Sequence, residues 1–339
     1  MDKTLITGAT GFLGSHLLQL LLDRGKEELR VVSTSSRPEL AGKGVEVIEG
    51  SITSDSVVER AVTGAQHIYH LAGKVSRNPA DQRELYEIHV EGTRLLCQAA
   101  RRAEVKRVVM ASTSGTIAVT EDGEAIPDET WPTPLHIIAR WPYYASKVYQ
   151  ETVARQECAG GPELVILNPS LLLGPGDERL SSTEDILKFL AREVPAVPPG
   201  GLNFVDVRDV APAFVEAMAR GVAGERYLIG GPNWDFAKLF SRLERLTKVA
   251  APRLHPPGAV IEWGTRAVDS LYRHWGKAPP VDRVSVEMSR YFWYLDASKA
   301  QRELGFRSRD PGDTLYETVA YLKEHFLGNE AFRVSGTAT

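Results

Sequence analysis

Cysteine is scarce in this chain. Cys97 and Cys158 are the only two among 339 residues and form no Cys-x-x-Cys, which excludes a disulfide framework. The eight histidines show no His-Glu-x-x-His or similar ligand spacing, so no metal is expected. Apolar runs are short. A spanning helix needs about 20 apolar residues, and no such run is present, so no membrane span is expected. Basic residues are not in excess: 40 stand against 44 acidic ones, a net charge of −4. That balance argues against gripping nucleic acid. Internal repeats, heptads and low-complexity segments are lacking. The opening stretch Met-Asp-Lys-Thr-Leu-Ile-Thr lacks the basic-apolar-small plan of a secretory signal, so a cytoplasmic location is expected.

What is present suits a sizeable core, with 43% apolar and 25% charged residues. Length alone allows one large domain or two ordinary ones. Short Val- and Ile-rich runs at 3–7, 29–33, 45–49, 67–71, 107–112 and 164–167 read as strands buried on both faces. Helix-period segments fit between them, at about 12–24, 54–63, 80–103 and 143–159. Gly25 follows the first of these as a C-terminal stop. The character changes after Leu167. Prolines 195, 198 and 199 precede a short strand at 202–205, and Asp209 reads as the N-cap of a helix over 210–220. Another strand is expected at 226–229. From 233 onward the chain is mainly helical and aromatic-rich, with Trp234, Trp263, Tyr272, Trp275 and the run Tyr291 to Tyr294. The pattern predicts an α/β fold, a doubly wound parallel sheet with a smaller, mostly helical C-terminal lobe. The final residues, 328–339, have little to bury and are expected to fray.

The first strand runs into Gly8-Ala9-Thr10-Gly11-Phe12-Leu13-Gly14. Gly8 would permit the tight turn, Gly11 the approach of a pyrophosphate, and Gly14 close packing of helix on strand. A glycine triplet alone is weak; between a first strand and a first helix it is a dinucleotide-binding signal of the Rossmann type. The second strand ends in Ser33-Thr34-Ser35-Ser36-Arg37 with no acid to hold a ribose 2′-OH. Ser33 and Ser35 with the Arg37 guanidinium suit a 2′-phosphate, which favours NADP over NAD. The alternative for Arg37 is a solvated loop residue.

Tyr143 and Lys147 lie one turn apart on a predicted helix and share a face. With 11 tyrosines in the chain, one Tyr-x-x-x-Lys spacing is within reach of chance. Its place after a strand ending in Ser112-Thr113-Ser114 raises its value. A free tyrosine titrates near pH 10, too high for a general base at neutrality. A nearby ammonium and an oxidised nicotinamide ring would both favour the phenolate. A drop of roughly three units needs about 4 kcal/mol. In the reducing direction Tyr143 would donate its proton to a carbonyl oxygen as hydride arrives. Lys147 would also anchor the nicotinamide ribose, and a Thr113 hydroxyl would orient the reacting oxygen.

On these residues the chain resembles the extended short-chain dehydrogenase/reductase superfamily, in its NAD-dependent epimerase/dehydratase grouping. The likeness runs from Lys3 to about Leu327. It rests on the glycine loop, His70-Leu71-Ala72-Gly73, Pro142-Tyr143-Tyr144-Ala145-Ser146-Lys147 and Gly174-Pro175-Gly176-Asp177. It extends to Phe204 through Val210, to Asp296-Ala297-Ser298-Lys299-Ala300 and to Glu303-Leu304-Gly305. The resemblance implies Tyr143, Lys147 and Thr113 as the catalytic set, with Ser112 and Ser114 as one-residue alternatives. It implies cofactor contacts from Gly8, Thr10, Gly11, Phe12, Leu13, Gly14, Ser33, Ser35 and Arg37. It adds Ser51 and Ile52 beside adenine, Leu71, Ala72 and Gly73 behind the cofactor, and Asn168 and Ser170 beside the nicotinamide. It also implies a cofactor-binding domain over 1–170 to which 202–230 returns, a substrate lobe over 171–327, and a homodimer through helices 80–103 and 143–159.

Three departures stand out. His89 occupies the place of the family's frequent Asn in Asn-Val-x-Gly-Thr. It takes over a backbone or water contact, opens another proton path, or is a satisfied buried histidine, which is the reading preferred here. Ser51 stands where an acid is common, weakening a contact to adenine. Asn168-Pro169 replaces an Arg-Pro frequent in nucleotide-sugar enzymes and is similar to dihydroflavonol-reductase-like and hydroxysteroid-dehydrogenase-like branches.

The expected activity is hydride transfer between a nicotinamide and a ketone, aldehyde or secondary alcohol on an apolar or ring-containing small molecule. The alternative is a nucleotide-sugar epimerase or dehydratase with tightly held NAD. Its diphosphate would want basic groups such as Arg253, Arg266, Arg273 and Arg283, but these form no diagnostic cluster. A cofactor-binding sensor without turnover is disfavoured by the intact Tyr143, Lys147 and Thr113 set. The stretch from Trp131 to Trp141, with His136 and Arg140, reads as a lid over the substrate or as a surface loop.

Overall fold

The computed structural model describes residues 3–26, 28–256 and 283–328. Trp263, Tyr272, Trp275, Arg266, Arg273 and the tail beyond Gly328 lie outside the described residues.

Seven parallel strands form the main sheet: β1 (Lys3–Thr7), β2 (Leu29–Ser33), β3 (Glu46–Glu49), β4 (Ala65–His70), β5 (Arg107–Ala111), β6 (Glu163–Pro169) and, later in the chain, Arg226–Ile229. Their order is β3-β2-β1-β4-β5-β6, with Arg226–Ile229 at the β6 edge. The order reverses between β1 and β4. In such sheets the ligand crevice opens at that reversal, beyond the carboxyl ends of the strands. The strands are apolar on both sides because both faces are covered. One face packs Leu17, Leu21, Phe214 and Ala217 from the helices Phe12–Asp23 and Val207–Arg220. The other packs Val58, Leu96, Ala100 and Ala154 from the helices Asp55–Val62, Gly92–Arg102 and Pro142–Cys158. Gly25 takes the left-handed conformation just past the first helix, the stop expected of it.

The remainder builds a second, smaller sheet around the strand expected at 202–205; its other strands the sequence pattern did not show. β7 (Leu171–Leu173) and β8 (Gly201–Asp206) pair in parallel. With Arg226–Ile229 counted as β9, β10 (Asn233–Asp235) pairs antiparallel with β8, and β11 (Phe292–Trp293) pairs parallel with it. Strands of two or three residues are too brief to display an alternation of period two.

Two helix expectations need correction. The single helix expected over 80–103 is interrupted. Gln82–Tyr86 is α-helical, Glu87–Glu91 widens into a π turn, and Gly92–Arg102 resumes the α-helix. Gly92 sits hard against Ile52, whose Cδ1 would lie 2.7 Å from an added Cβ. The helix expected to start at Val210 starts at Val207 instead. Its N-cap is Asp206, which accepts from the backbone N–H of Arg208 at 2.9 Å. Asp209 is engaged by Arg309, through its backbone N–H at 2.7 Å and its guanidinium at 2.8 Å.

Candidate active site

The glycine loop joins β1 to the Phe12–Asp23 helix as the sequence requires. Gly8 is left-handed, with φ +74°, and a Cβ there would meet the Leu71 carbonyl carbon at 2.5 Å. A Cβ on Gly14 would lie 2.0 Å from the Gly8 carbonyl oxygen, so strand and helix touch backbone to backbone. The helix N-terminus has no side-chain cap and no acid in its first turn. Its free N–H groups and positive dipole end therefore remain for an anion. At the end of β2 the Arg37 Nε is buried without a hydrogen-bond partner, and Glu39 stands 3.7 Å from its guanidinium. Ser33 Oγ accepts a long bond from the Ser35 N–H at 3.4 Å. After β3, Ser51 Oγ is 2.8 Å from Thr53 Oγ1 in a local turn, and the Ile52 side chain belongs to the core. Those two can offer little but backbone to an adenine.

Pro142 opens the catalytic helix, a position that suits its fixed φ and missing N–H. One turn along, Lys147 is buried. Its ammonium donates to the Ala111 carbonyl at 3.2 Å and to Gln150 Oε1 at 2.8 Å. Burial pulls its pKa down to about 8, opposed by the negative charge of Glu151. Tyr143 is half-buried. Enclosure of its phenol raises the pKa above the ordinary tyrosine value. Tyr144 adds to that rise, and a hydrogen bond with Thr113 opposes it. Thr113 is thus brought to the phenol. Ser112 is turned away, donating to Glu151 Oε1 at 2.5 Å.

Sequence reasoning passed over the buried polar groups behind this set. Glu151 Oε1 also accepts from Thr116 Oγ1 at 2.8 Å and from Asn168 Nδ2 at 2.7 Å. Gln150 Nε2 donates to Thr93 Oγ1 at 2.9 Å. Thr93 and Thr7 then bracket the His70 ring at 2.8 and 2.7 Å. Glu151 stands four residues beyond Lys147, on the same helix face, and that spacing was the available signal.

Asn168 Oδ1 and Ser170 Oγ are buried with no hydrogen-bond partner. Orphaned acceptors and donors of this kind call for a polar group from outside the chain. They stand at the carboxyl end of β6, next to the Thr113 loop that Asn168 Nδ2 holds at 3.0 Å. A nicotinamide carboxamide fits that chemistry, as a pyrophosphate fits the glycine loop.

On the other side of Tyr143 lies an aromatic wall. Tyr144 meets Tyr143 and Trp293 at ring separations of 5.0 Å each, and Trp141 meets Tyr291 at 5.5 Å. Arg77 bridges from the loop after β4 to Asp185 at 2.7 Å and to Ser285 at 2.9 Å. Arg140 pairs with Glu287 at 2.9 Å. The 131–141 stretch is therefore pinned at this end, and Ile137, Ile138 and Trp141 are buried.

The model of the NAD dependent epimerase/dehydratase family matches residues 4–230. The chain belongs to that family. Its relatives include a protein of Synechocystis sp. provisionally named dihydroflavonol 4-reductase, 32% identical over 330 residues, covering 96% of this chain and 95% of that one. Sterol demethylase protein B of Methylococcus capsulatus is 32% identical over 325 residues, covering 95% and 98%. Among solved structures, gox2253 superposes with a TM-score of 0.82 at 30% identity, covering 96% of this chain and 99% of its own. Like the family, this chain is an enzyme of the extended short-chain dehydrogenase/reductase type using a nicotinamide cofactor. Among the described residues no helix is long and apolar enough to cross a membrane, and no cluster of His, Cys, Asp and Glu could hold a metal.

Proposed function

We propose that the protein is an NADP-preferring carbonyl reductase, with the reverse alcohol oxidation open to it, acting on an apolar or ring-containing small molecule. The observation that carries this reading is the placement of the Tyr143 phenol, hydrogen-bonded with Thr113 and one turn from a buried Lys147. The neutral phenol is the form that has a proton to give, and positive charge beside it must offset the burial that raises its pKa. A reduced nicotinamide, when bound, would supply hydride for the carbonyl carbon. Tyr143 then delivers its proton to the carbonyl oxygen, and Thr113 holds that oxygen in line by a hydrogen bond. Lys147 holds the nicotinamide ribose and its positive charge lowers the energy of the phenolate left behind. Asn168 and Ser170 take the carboxamide. The Arg37 Nε, buried and unpartnered, supports the 2′-phosphate preference. Tyr144, Trp141 and Trp293 line the side on which an apolar ring would lie.

The test begins with the purified protein, denatured to identify any released nucleotide. The nucleotide-free protein is then titrated with NADPH and NADH and screened against ketones, aldehydes and sterols. Little retained nucleotide with a preference for NADPH supports the reductase. Near-stoichiometric, tightly held NAD would instead mark an enzyme that recycles its cofactor internally, and the screen would turn to nucleotide sugars. Tyr143→Phe should lower turnover by about a thousandfold while leaving nucleotide affinity nearly intact; retained turnover would remove Tyr143 from the mechanism. We further propose a homodimer through the helices carrying Tyr86 and Tyr149, exposed by 43% and 57%, to be checked by sedimentation.

A further inference from the structure

His89 lies at the centre of the π turn Glu87–Glu91 and is fully buried. Both of its ring nitrogens are engaged. Nε2 is 3.1 Å from the backbone N–H of Lys74, which can only donate. Nδ1 is 2.8 Å from Ser146 Oγ. That hydroxyl already donates its single proton to the Tyr143 carbonyl at 2.7 Å, so it must accept from the ring. The proton therefore sits on Nδ1. One directed chain results, from the Lys74 N–H through the ring and Ser146 to the backbone of the catalytic tyrosine. The ring also stands edge-on to Tyr143, 5.8 Å between centres. Its Nε2 would be 3.0 Å from a Cβ on Gly73, so any side chain there would press on the ring.

The segment tied in this way is the one that backs the cofactor. Ala72 donates through its N–H to Thr7 Oγ1 at 3.3 Å. Lys74 Nζ is held by Asp81 at 3.1 Å and by Glu84. A π turn adds one residue to a helix and is frequently found at functional sites. Here it brings the imidazole between that turn and the catalytic helix. We propose that His89 is a positioning residue, fixing the Gly73–Lys74 turn against the first turn of the catalytic helix as a neutral ring protonated on Nδ1. It is a strut and not a member of the proton path. Burial and the nearby Lys147 charge hold its pKa well below that of a free histidine, which keeps the ring neutral.

This proposal rests on the nicotinamide reading of the site, and its test separates the two. Nitrogen-15 histidine spectra of the protein at neutral pH should show an Nδ1–H ring signal that is lost in His89→Asn, while the signals of His255 and His325, whose Nδ1 atoms also face backbone carbonyls, persist. NADPH and NADH affinities are then measured by fluorescence for two variants, with thermal melting as the fold control. His89→Gln can reach Lys74 with an acceptor oxygen and should bind nucleotide like the unaltered protein. His89→Asn keeps a donor for Ser146 but falls short of Lys74, and its affinity should drop by about three- to tenfold, as for one lost hydrogen bond. An Nε2-protonated ring at His89, or equal affinities in both variants, would overturn the strut. Failure of the unaltered protein to bind either nucleotide would overturn the site reading, while the spectrum still reports on the strut.

Discussion

The two sides of the cleft are built by different means. The nucleotide side is backbone against backbone: Gly8 against the Leu71 carbonyl, Gly14 against the Gly8 carbonyl, and a bare helix end facing the crevice. The side proposed for the substrate is side chain against side chain. Tyr144, Trp141 and Trp293 pack as rings, and the ion pairs Arg77–Asp185 and Arg140–Glu287 join segments far apart in the chain. Backbone contacts leave no atom to substitute, so this side is rigid in sequence. Ring and ion-pair contacts can be exchanged one at a time. The cofactor chemistry is therefore shared across a family while the substrate differs within it.

The sharpest way to break this contrast is to add one methyl on the nucleotide side. Gly14→Ala forces a Cβ to within 2.0 Å of a carbonyl oxygen. It should cost about 3 kcal/mol of stability and abolish nucleotide binding, read by thermal melting and fluorescence titration. Normal binding in that variant would show that the loop is not closed on itself. Next comes Arg37→Ala, which removes a guanidinium expected to contact the 2′-phosphate. NADPH affinity should fall by about 2 kcal/mol, roughly thirtyfold, with little change for NADH. Equal losses for the two would refute the role. A smaller effect is expected in the pH profile. The lowered Lys147 pKa, about 8 in the protein, means the ammonium is intact below that pH and lost above it. Reduction rates should decline severalfold as pH rises through about 8, and a flat profile to strongly alkaline pH would remove the charge from the mechanism. The smallest effect belongs to the substrate side. Arg77→Ala opens a partly exposed ion pair and should cost under about 1 kcal/mol of stability. Nucleotide affinity should not move, and any change in specificity should appear in KM for the carbonyl compound.

The same contrast governs what was legible in the sequence. The glycine loop and the strands β1 and β2 carry strong local signals, and each falls where its residues placed it. The Tyr143 and Lys147 pair was readable because helical spacing alone puts both on one face. The π turn was not, because apolar periodicity cannot tell a turn closed at the fourth residue from one closed at the fifth. The misplaced cap has a similar origin. Asp206 and Asp209 are both good cap residues in isolation; in the structure Asp206 takes the Arg208 N–H while Asp209 is taken up by Arg309 from far along the chain. Glu151 and the His70 bridge depend on groups brought together from β1, β4, β6, the loop after β5 and two helices. No local pattern records such a meeting.

The late return of Arg226–Ile229 to the main sheet has a consequence for biosynthesis. This strand pairs with β6, some sixty residues earlier, and only after the chain has made β7 and β8 elsewhere. Until it emerges from the ribosome, β6 offers a bare apolar edge to any other extended chain. Neither sheet can be completed before the other has begun, so the molecule is expected to fold as one cooperative unit. Expressing the first 170 residues alone would leave an open-edged sheet prone to self-association, and co-expressing the remainder should restore solubility.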